Sequence, residues 1–438
     1  MTSDFDRLAG EAVVLHRAGR LAEAATAYRA ALALSPGRPT ILHNLGVIAA
    51  AQGDHAAAVR QFDEVLAGNP DYASAHMNRG AALEALGRLP EAIQSYGRAA
   101  ALEPDSYAAH RALGFLWLAQ GERGRALDHF ARTYELRRGE DRSGRAQKSL
   151  SETTRAKLLH DAAQFRHIAA RKRDGKRFEV LARLYADFAR DFPETPTELG
   201  AEDFERIGED YNSPIHLASA AEQEAGAVAS RPDRRAILDG YREAGAVFFD
   251  GFLTPPALAS LKKHLLESTI WHDFTHIDGF MASYLEDGLA SPLLLQIADE
   301  FRQAFPELLR DRPLSQAWAF KGVDPQAPVG AHADDGAVSV NFWVTPDAAN
   351  LAGDRGGLLI CRAAPPQDWK VTGYDEDKAR IAAFLEDHAA DTLVVPYAEN
   401  RAALFQSRLF HRSDAPVFQD VYDMHRINLT LLYGRHGG

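Results

Sequence analysis

The chain has 438 residues, longer than one ordinary domain, and its 46% hydrophobic and 25% charged residues exclude a chain that is disordered throughout. Its 49 basic and 61 acidic residues give a formal charge of −12, without the basic footprint of a general nucleic-acid binder. A single cysteine, Cys361, excludes an internal disulfide and a thiolate zinc cluster.

The opening Met1-Thr2-Ser3-Asp4-Phe5-Asp6 is acidic and lacks the basic and apolar regions of a signal peptide. No apolar run reaches the roughly 18 residues of a membrane-spanning helix. A cytoplasmic protein without membrane or nucleic-acid partners is the expectation.

Positions recur every 34 residues in the first third of the chain. Gly19, Gly53, Gly87 and Gly121 form one series, Gly46, Gly80 and Gly114 a second, and Pro36, Pro70 and Pro104 a third. Ala24, Ala58, Ala92 and Ala126 share the step, as do the aromatics Tyr28, Phe62, Tyr96 and Phe130. Each unit reads as two helices with a glycine turn between them and a proline stop. Alanine sits where the helices approach, and the aromatic fills space between neighbouring repeats. Such units bury their apolar faces only by stacking, which leaves a concave groove. Over about residues 5 to 138 the pattern resembles the tetratricopeptide repeat, and residues 1–140 are taken as the array. The resemblance implies a peptide or protein partner in the groove; the alternative is a dimerisation or spacer element. The sequence leaves the oligomeric state open.

Residues 141–239 read as a helical connector. Its apolar pattern runs through Leu150, Leu158, Leu159, Phe165, Ile168, Phe178, Leu181, Leu184 and Phe188, with Ser151-Glu152-Thr153-Thr154 as a capping stretch. These helices are expected to seal the end of the array. Residues 193–235 read as irregular, and His160, His167 and His216 as surface or packing histidines.

Residues 240–438 change character. A strand at Ala246–Phe249 leads into a helix through Leu266, and another helix spans about Leu293 to Phe305. Strands are expected at Gln316–Lys321, Ala337–Val344, Gly357–Cys361, Thr392–Val395, Ala402–Gln406 and Ile427–Tyr433. Helices followed by many strands suggest a double-sheet barrel with helices outside.

Within Val329–Val344, His332 and Asp334 stand two apart. On a strand both side chains project from one face, while Ala333 points away. Two such ligands are two-thirds of a facial 2-His-1-carboxylate site, the arrangement that holds non-haem Fe(II) and leaves positions open. His411, after an apolar strand, is the preferred third ligand; His388, His425 and His436 suit it less. Arg426, fifteen residues later, opens a strand and suits a carboxylate. A rival pair, His276 and Asp278, lies in a polar connector. The plainer accounts are a surface ion pair for His332 and Asp334, and a salt bridge from Arg426 to Asp414 or Asp423.

Together, His332-x-Asp334, His411 and Arg426 resemble the iron- and 2-oxoglutarate-dependent oxygenases, near the prolyl-4-hydroxylase-like and phytanoyl-hydroxylase-like branches. Phe248-Phe249-Asp250-Gly251-Phe252-Leu253, Gly356-Gly357-Leu358-Leu359 and Asn400-Arg401-Ala402-Ala403-Leu404-Phe405 belong to the same resemblance. It implies a double-stranded β-helix (jelly roll) in a multidomain chain: an α-solenoid, a helical connector and an α+β domain. It also implies Fe(II) on His332, Asp334 and His411, with 2-oxoglutarate on Arg426 and O2 as co-reactant. Asn341, Trp343, Thr430 and Gln316 are expected to line the pocket on inward faces. Where relatives place a tyrosine before the His-x-Asp strand, this chain has Trp318, Phe320 and Lys321. The expected activity is hydroxylation of a protein or peptide side chain engaged by the repeats. Two alternatives stand beside it: an oxygenase for a small molecule or carrier-bound amino acid, and a non-catalytic scaffold.

Overall fold

A computed structural model describes residues 3–139, 152–207, 210–231, 233–275, 279–366, 369 and 378–434. Leu150, Ser151, the rival pair His276 and Asp278, and His436 lie outside these residues. Contacts divide the chain into two compact units, Met1–Trp117 and Leu118–Gly438.

The first unit is a helical solenoid of α1 (Asp4–Arg17), α2 (Leu21–Leu34), α3 (Pro39–Ala51), α4 (His55–Gly68), α5 (Ala73–Ala85), α6 (Leu89–Leu102) and most of α7 (Tyr107–Ala119). Gly19, Gly53 and Gly87 turn each helix pair at φ of 73°, 82° and 72°, a left-handed conformation that favours glycine. The second glycine series has a different cause. A Cβ on Gly46 would lie 2.7 Å from the Phe62 ring, and one on Gly80 would lie 2.9 Å from Tyr96. The aromatic series therefore packs on the glycine of its own helix pair. Contact with the next unit is polar for Tyr28, whose hydroxyl accepts from Asn44 Nδ2 at 3.0 Å. Ala24, Ala58 and Ala92 are fully buried, as the close approach of helices demands.

The second unit begins with α8 (Arg123–Arg138), then β1 (Glu152–Thr153), α9 (Arg155–Ala169), α10 (Lys176–Ala189), β2 (Thr197–Glu198) and α11 (Ala201–Ile207). The pair α9 and α10 shares a core with Leu199, Ile207 and Tyr211, within this unit. There follow α12 (Arg234–Ala244), β3 (Ala246–Phe249), α13 (Pro255–Glu267), β4 (Phe280–Tyr284), α14 (Pro292–Ala304), α15 (Pro306–Leu309), β5 (Leu314–Gly322) and β6 (Val338–Trp343). The chain ends with β7 (Leu358–Cys361), α16 (Lys378–Asp387), β8 (Thr392–Val395), β9 (Ala402–Gln406), β10 (His411–Ser413) and β11 (Ile427–Tyr433). The expected strands are present within a residue or two at each end, and β1, β2, β4 and β10 are additional.

The sheets among the described residues are all antiparallel. One has six strands in the order β3-β9-β6-β11-β5-β4, and another has three in the order β10-β7-β8. Register fixes what shares a face. Ser339, Leu432 and Gln316 align across β6, β11 and β5; so do Asn341, Thr430 and Trp318, and then Trp343, Asn428 and Phe320. This inner face meets the three-stranded sheet, because Trp343 and Phe405 share a core with Leu358, Ile360 and Val395. The outer face meets helices. Phe342 packs edge-on to Phe252, and the Tyr433 hydroxyl donates to the Ala298 carbonyl at 2.8 Å.

Candidate metal and anion site

His332 is not in a regular strand. It forms an isolated antiparallel bridge with His411, each backbone N–H donating to the other's carbonyl, at 3.0 and 2.8 Å. The Asp334 N–H donates to the Ser407 carbonyl at 2.8 Å, so the tripeptide stays extended before β6 begins. The i, i+2 geometry survives. Asp334 is buried facing the histidines, while Ala333 joins a separate cluster with Cys361, Ile381 and Phe410.

One candidate ligand atom from each of His332, Asp334 and His411 lies within 4.8 Å of the others. His332 Nε2 is 3.9 Å from Asp334 Oδ1, and His411 Nε2 is 3.8 Å from Asp334 Oδ2. His332 Nδ1 lies 2.8 Å from the Gly330 carbonyl, and His411 Nδ1 lies 3.1 Å from that of Leu409. A carbonyl only accepts, so each Nδ1 carries a proton, and both Nε2 atoms face the carboxylate. Burial, and then the neighbouring His332, lowers the His411 pKa to about 4, against a smaller opposing pull from Asp334. His411 is therefore a neutral imidazole at ordinary pH, the form that binds metal. The Ser339 hydroxyl donates to Asp334 Oδ2 at 2.6 Å, and Phe405 packs edge-on to His411 at 4.7 Å. These contacts hold the ligands from behind.

Arg426 immediately precedes β11 and is 4% exposed. Its Nη1 lies 3.4 Å from Ser413 Oγ, its Nη2 lies 3.4 Å from the Gly357 carbonyl, and Nε has no partner among the described residues. No carboxylate among the described residues pairs with it. Asp414 is 3.3 Å from Arg355 and Asp423 is 3.6 Å from Arg171, which removes the two salt bridges considered from sequence. Burial lowers the Arg426 pKa to about 10, with Tyr397 opposing, so the guanidinium remains charged at neutral pH.

The expected pocket residues share the inner face. Asn341 Nδ2 is 2.9 Å from Thr430 Oγ1, and Gln316 Nε2 donates to Glu286 Oε2 at 3.1 Å. Asn341 Oδ1, Asn428 Oδ1 and Trp343 Nε1 are buried without hydrogen-bond partners among the described residues. Trp318 and Phe320 lie on this face, whereas Lys321 points from the other one, its Nζ 3.0 Å from the centre of the Tyr422 ring. His388 stacks on Phe384 and His425 contacts Asp420, away from the triad. Ser339, Ser407, Phe405, Ser413 and Asn428 were not singled out from sequence. Alternation from Asn341 and Thr430 would have found Ser339 and Asn428, but nothing local marks the others.

Tetratricopeptide-repeat family models match residues 43–102, and residues 14–53 and 85–121. The N-terminal part of the chain is thus a tetratricopeptide-repeat solenoid. No curated protein matches the chain. Among solved structures, a MamA RS-1 double mutant is 24% identical over 32% of this chain and 79% of its own, with a TM-score of 0.31. MamA from Desulfovibrio magneticus RS-1 is 25% identical over 32% and 78%, at 0.30. The first repeat domain of Spaghetti (RPAP3), bound to an HSP90 peptide, is 27% identical over 26% and 90%, at 0.26. No described helix is long and apolar enough to cross a membrane.

Proposed function

We propose that the second unit is an Fe(II)- and 2-oxoglutarate-dependent oxygenase on a double-stranded β-helix, hydroxylating a protein or peptide side chain engaged by the repeats. Arg426 carries this reading. A buried guanidinium without a carboxylate among the described residues is costly, and Arg426 lies beside Trp343 on the inner face of the six-stranded sheet, the face from which Ser339 holds Asp334 of the triad. A small acid that chelates a metal through one end and offers a carboxylate at the other satisfies both. The donor set fits: two imidazoles and one carboxylate suit a divalent iron and leave positions open.

His332, Asp334 and His411 would hold the ion, and Arg426 would hold the far carboxylate. Bound iron would supply the oxidising chemistry, in which 2-oxoglutarate and O2 become succinate, CO2 and one oxygen atom for a substrate C–H bond. The protein's own task is positional. Ser339 keeps Asp334 aimed, the Gly330 and Leu409 carbonyls fix the imidazole tautomers, and apolar residues of both sheets exclude bulk water. The repeat solenoid supports a peptide or protein substrate, since stacked repeats present a concave binding surface.

Metal uptake tests the ligand assignment. The purified chain should bind one Fe(II) or Mn(II), and His411→Ala should lose most of that affinity. Equal uptake by the variant would remove the triad from the account.

A further inference from the structure

The inner face holds a second hydrogen-bond donor without an acceptor, on the strand beside Arg426's own. Trp343 is fully buried, its indole N–H has no partner among the described residues, and the Arg426 guanidinium carbon lies 5.9 Å from the ring centre. Register leaves little freedom here. Trp343 pairs with Asn428, which lies two residues beyond Arg426 and on the same face of β11. The ring is clamped by Leu358, Ile360 and Val395 of the facing sheet and stacks obliquely on Tyr397 at 5.7 Å. An indole N–H can only donate, and leaving it buried and unmade costs free energy. A rigid donor and an unpaired cation on one buried wall make an anion site with two different recognition groups.

We propose that the Trp343 indole N–H is the second donor to the far carboxylate of the 2-oxo-acid, beside Arg426. This inference rests on the oxygenase reading and deepens it. It assigns to β6 a contact that Trp318 and Phe320 of β5 cannot make through a hydroxyl, while Lys321 faces the other side of the sheet. The site then selects a 2-oxo-acid with a second carboxylate over one with an alkyl end.

Calorimetry of the Mn(II)-loaded full chain tests it, with 2-oxoglutarate and with 2-oxopentanoate, which lacks the far carboxylate. Trp343→Phe keeps the ring and deletes the donor. It should weaken 2-oxoglutarate binding about tenfold or more and leave 2-oxopentanoate binding nearly unchanged. Unchanged 2-oxoglutarate affinity in the variant would overturn the tryptophan assignment alone. A wild-type chain that binds neither acid would overturn the reading beneath it. Should the variant fold poorly, indole 15N–1H spectra of the wild-type chain decide. The Trp343 signal should move on adding 2-oxoglutarate and much less with 2-oxopentanoate; equal movement with both contradicts the proposal.

Discussion

Among the described residues of the second unit, two arginines are almost entirely buried, and they are treated in opposite ways. Arg138, at the end of α8, is fully enclosed and meets Asp287 through two hydrogen bonds, Nε to Oδ1 at 2.8 Å and Nη2 to Oδ2 at 2.6 Å. Asp287 is also within 3.6 Å of Arg137, and its pKa is about 2, the arginines together outweighing the opposing effect of burial. Arg426 is as deeply placed but has only two long contacts, at 3.4 Å, and no carboxylate among the described residues. The first region is a finished internal joint tying α8 to the turn after β4. The second has the form of half an interaction, and the missing half is what a ligand would bring.

The contrast can be broken at its strongest point first. Arg138→Met should destabilise the chain by about 3–5 kcal/mol in denaturant unfolding, because it leaves the buried Asp287 carboxylate with only the longer Arg137 contact. A loss below about 1 kcal/mol would mean that the pair is not the joint described.

A weaker effect is expected from His160, which lies beside Asp161 in the same interior, with Nε2 unpartnered. Burial lowers its pKa to about 3, against the raising effect of Asp161. The unfolded chain therefore binds a proton near pH 6.5 that the folded chain refuses until about pH 3, and stability falls as pH drops through that window. Between pH 7 and 5 this histidine should contribute a loss of about 2 kcal/mol. His160→Gln should remove that share of the slope in unfolding curves taken at the two pH values; an identical slope would contradict the assignment.

Smaller still is Lys321, an unpartnered amine whose pKa burial pushes well below its usual value. Lys321→Met should leave stability at neutral pH unchanged or raise it by about 1 kcal/mol, measured in the same way. For Arg426→Met the expected change in the stability of the ligand-free chain is near zero, since no partner is stranded. Its effect should appear in binding instead, with 2-oxoglutarate affinity for the Mn(II)-loaded chain reduced at least a hundredfold. A large stability loss without a binding loss would make Arg426 a structural residue like Arg138.

Much of this was legible in the residues because it follows from period. The 34-residue series announced the solenoid, and alternation placed Asn341, Trp343 and Thr430 on one face. What escaped has nonlocal causes. The strand β10 is three residues long and exists through pairing with β7, not through any pattern of its own. His332 was expected on a strand, and pairing with His411 instead leaves it on an isolated bridge. Ser407 reaches the site through backbone that precedes β10, and Lys321 was grouped with Trp318 and Phe320 although alternation alone puts it on the other face. The joint at Arg138 joins residues 149 apart, a separation that sequence spacing does not reveal.

The most direct test of the central claim is release of labelled CO2 from 2-oxoglutarate carrying the label at its C1 carboxylate. Wild-type chain with Fe(II) and O2 should release CO2 and form succinate in equal amounts, while His332→Ala and His411→Ala should fall to background. Release by either variant at the wild-type rate, or none from a wild-type chain shown to hold its iron, would contradict the account.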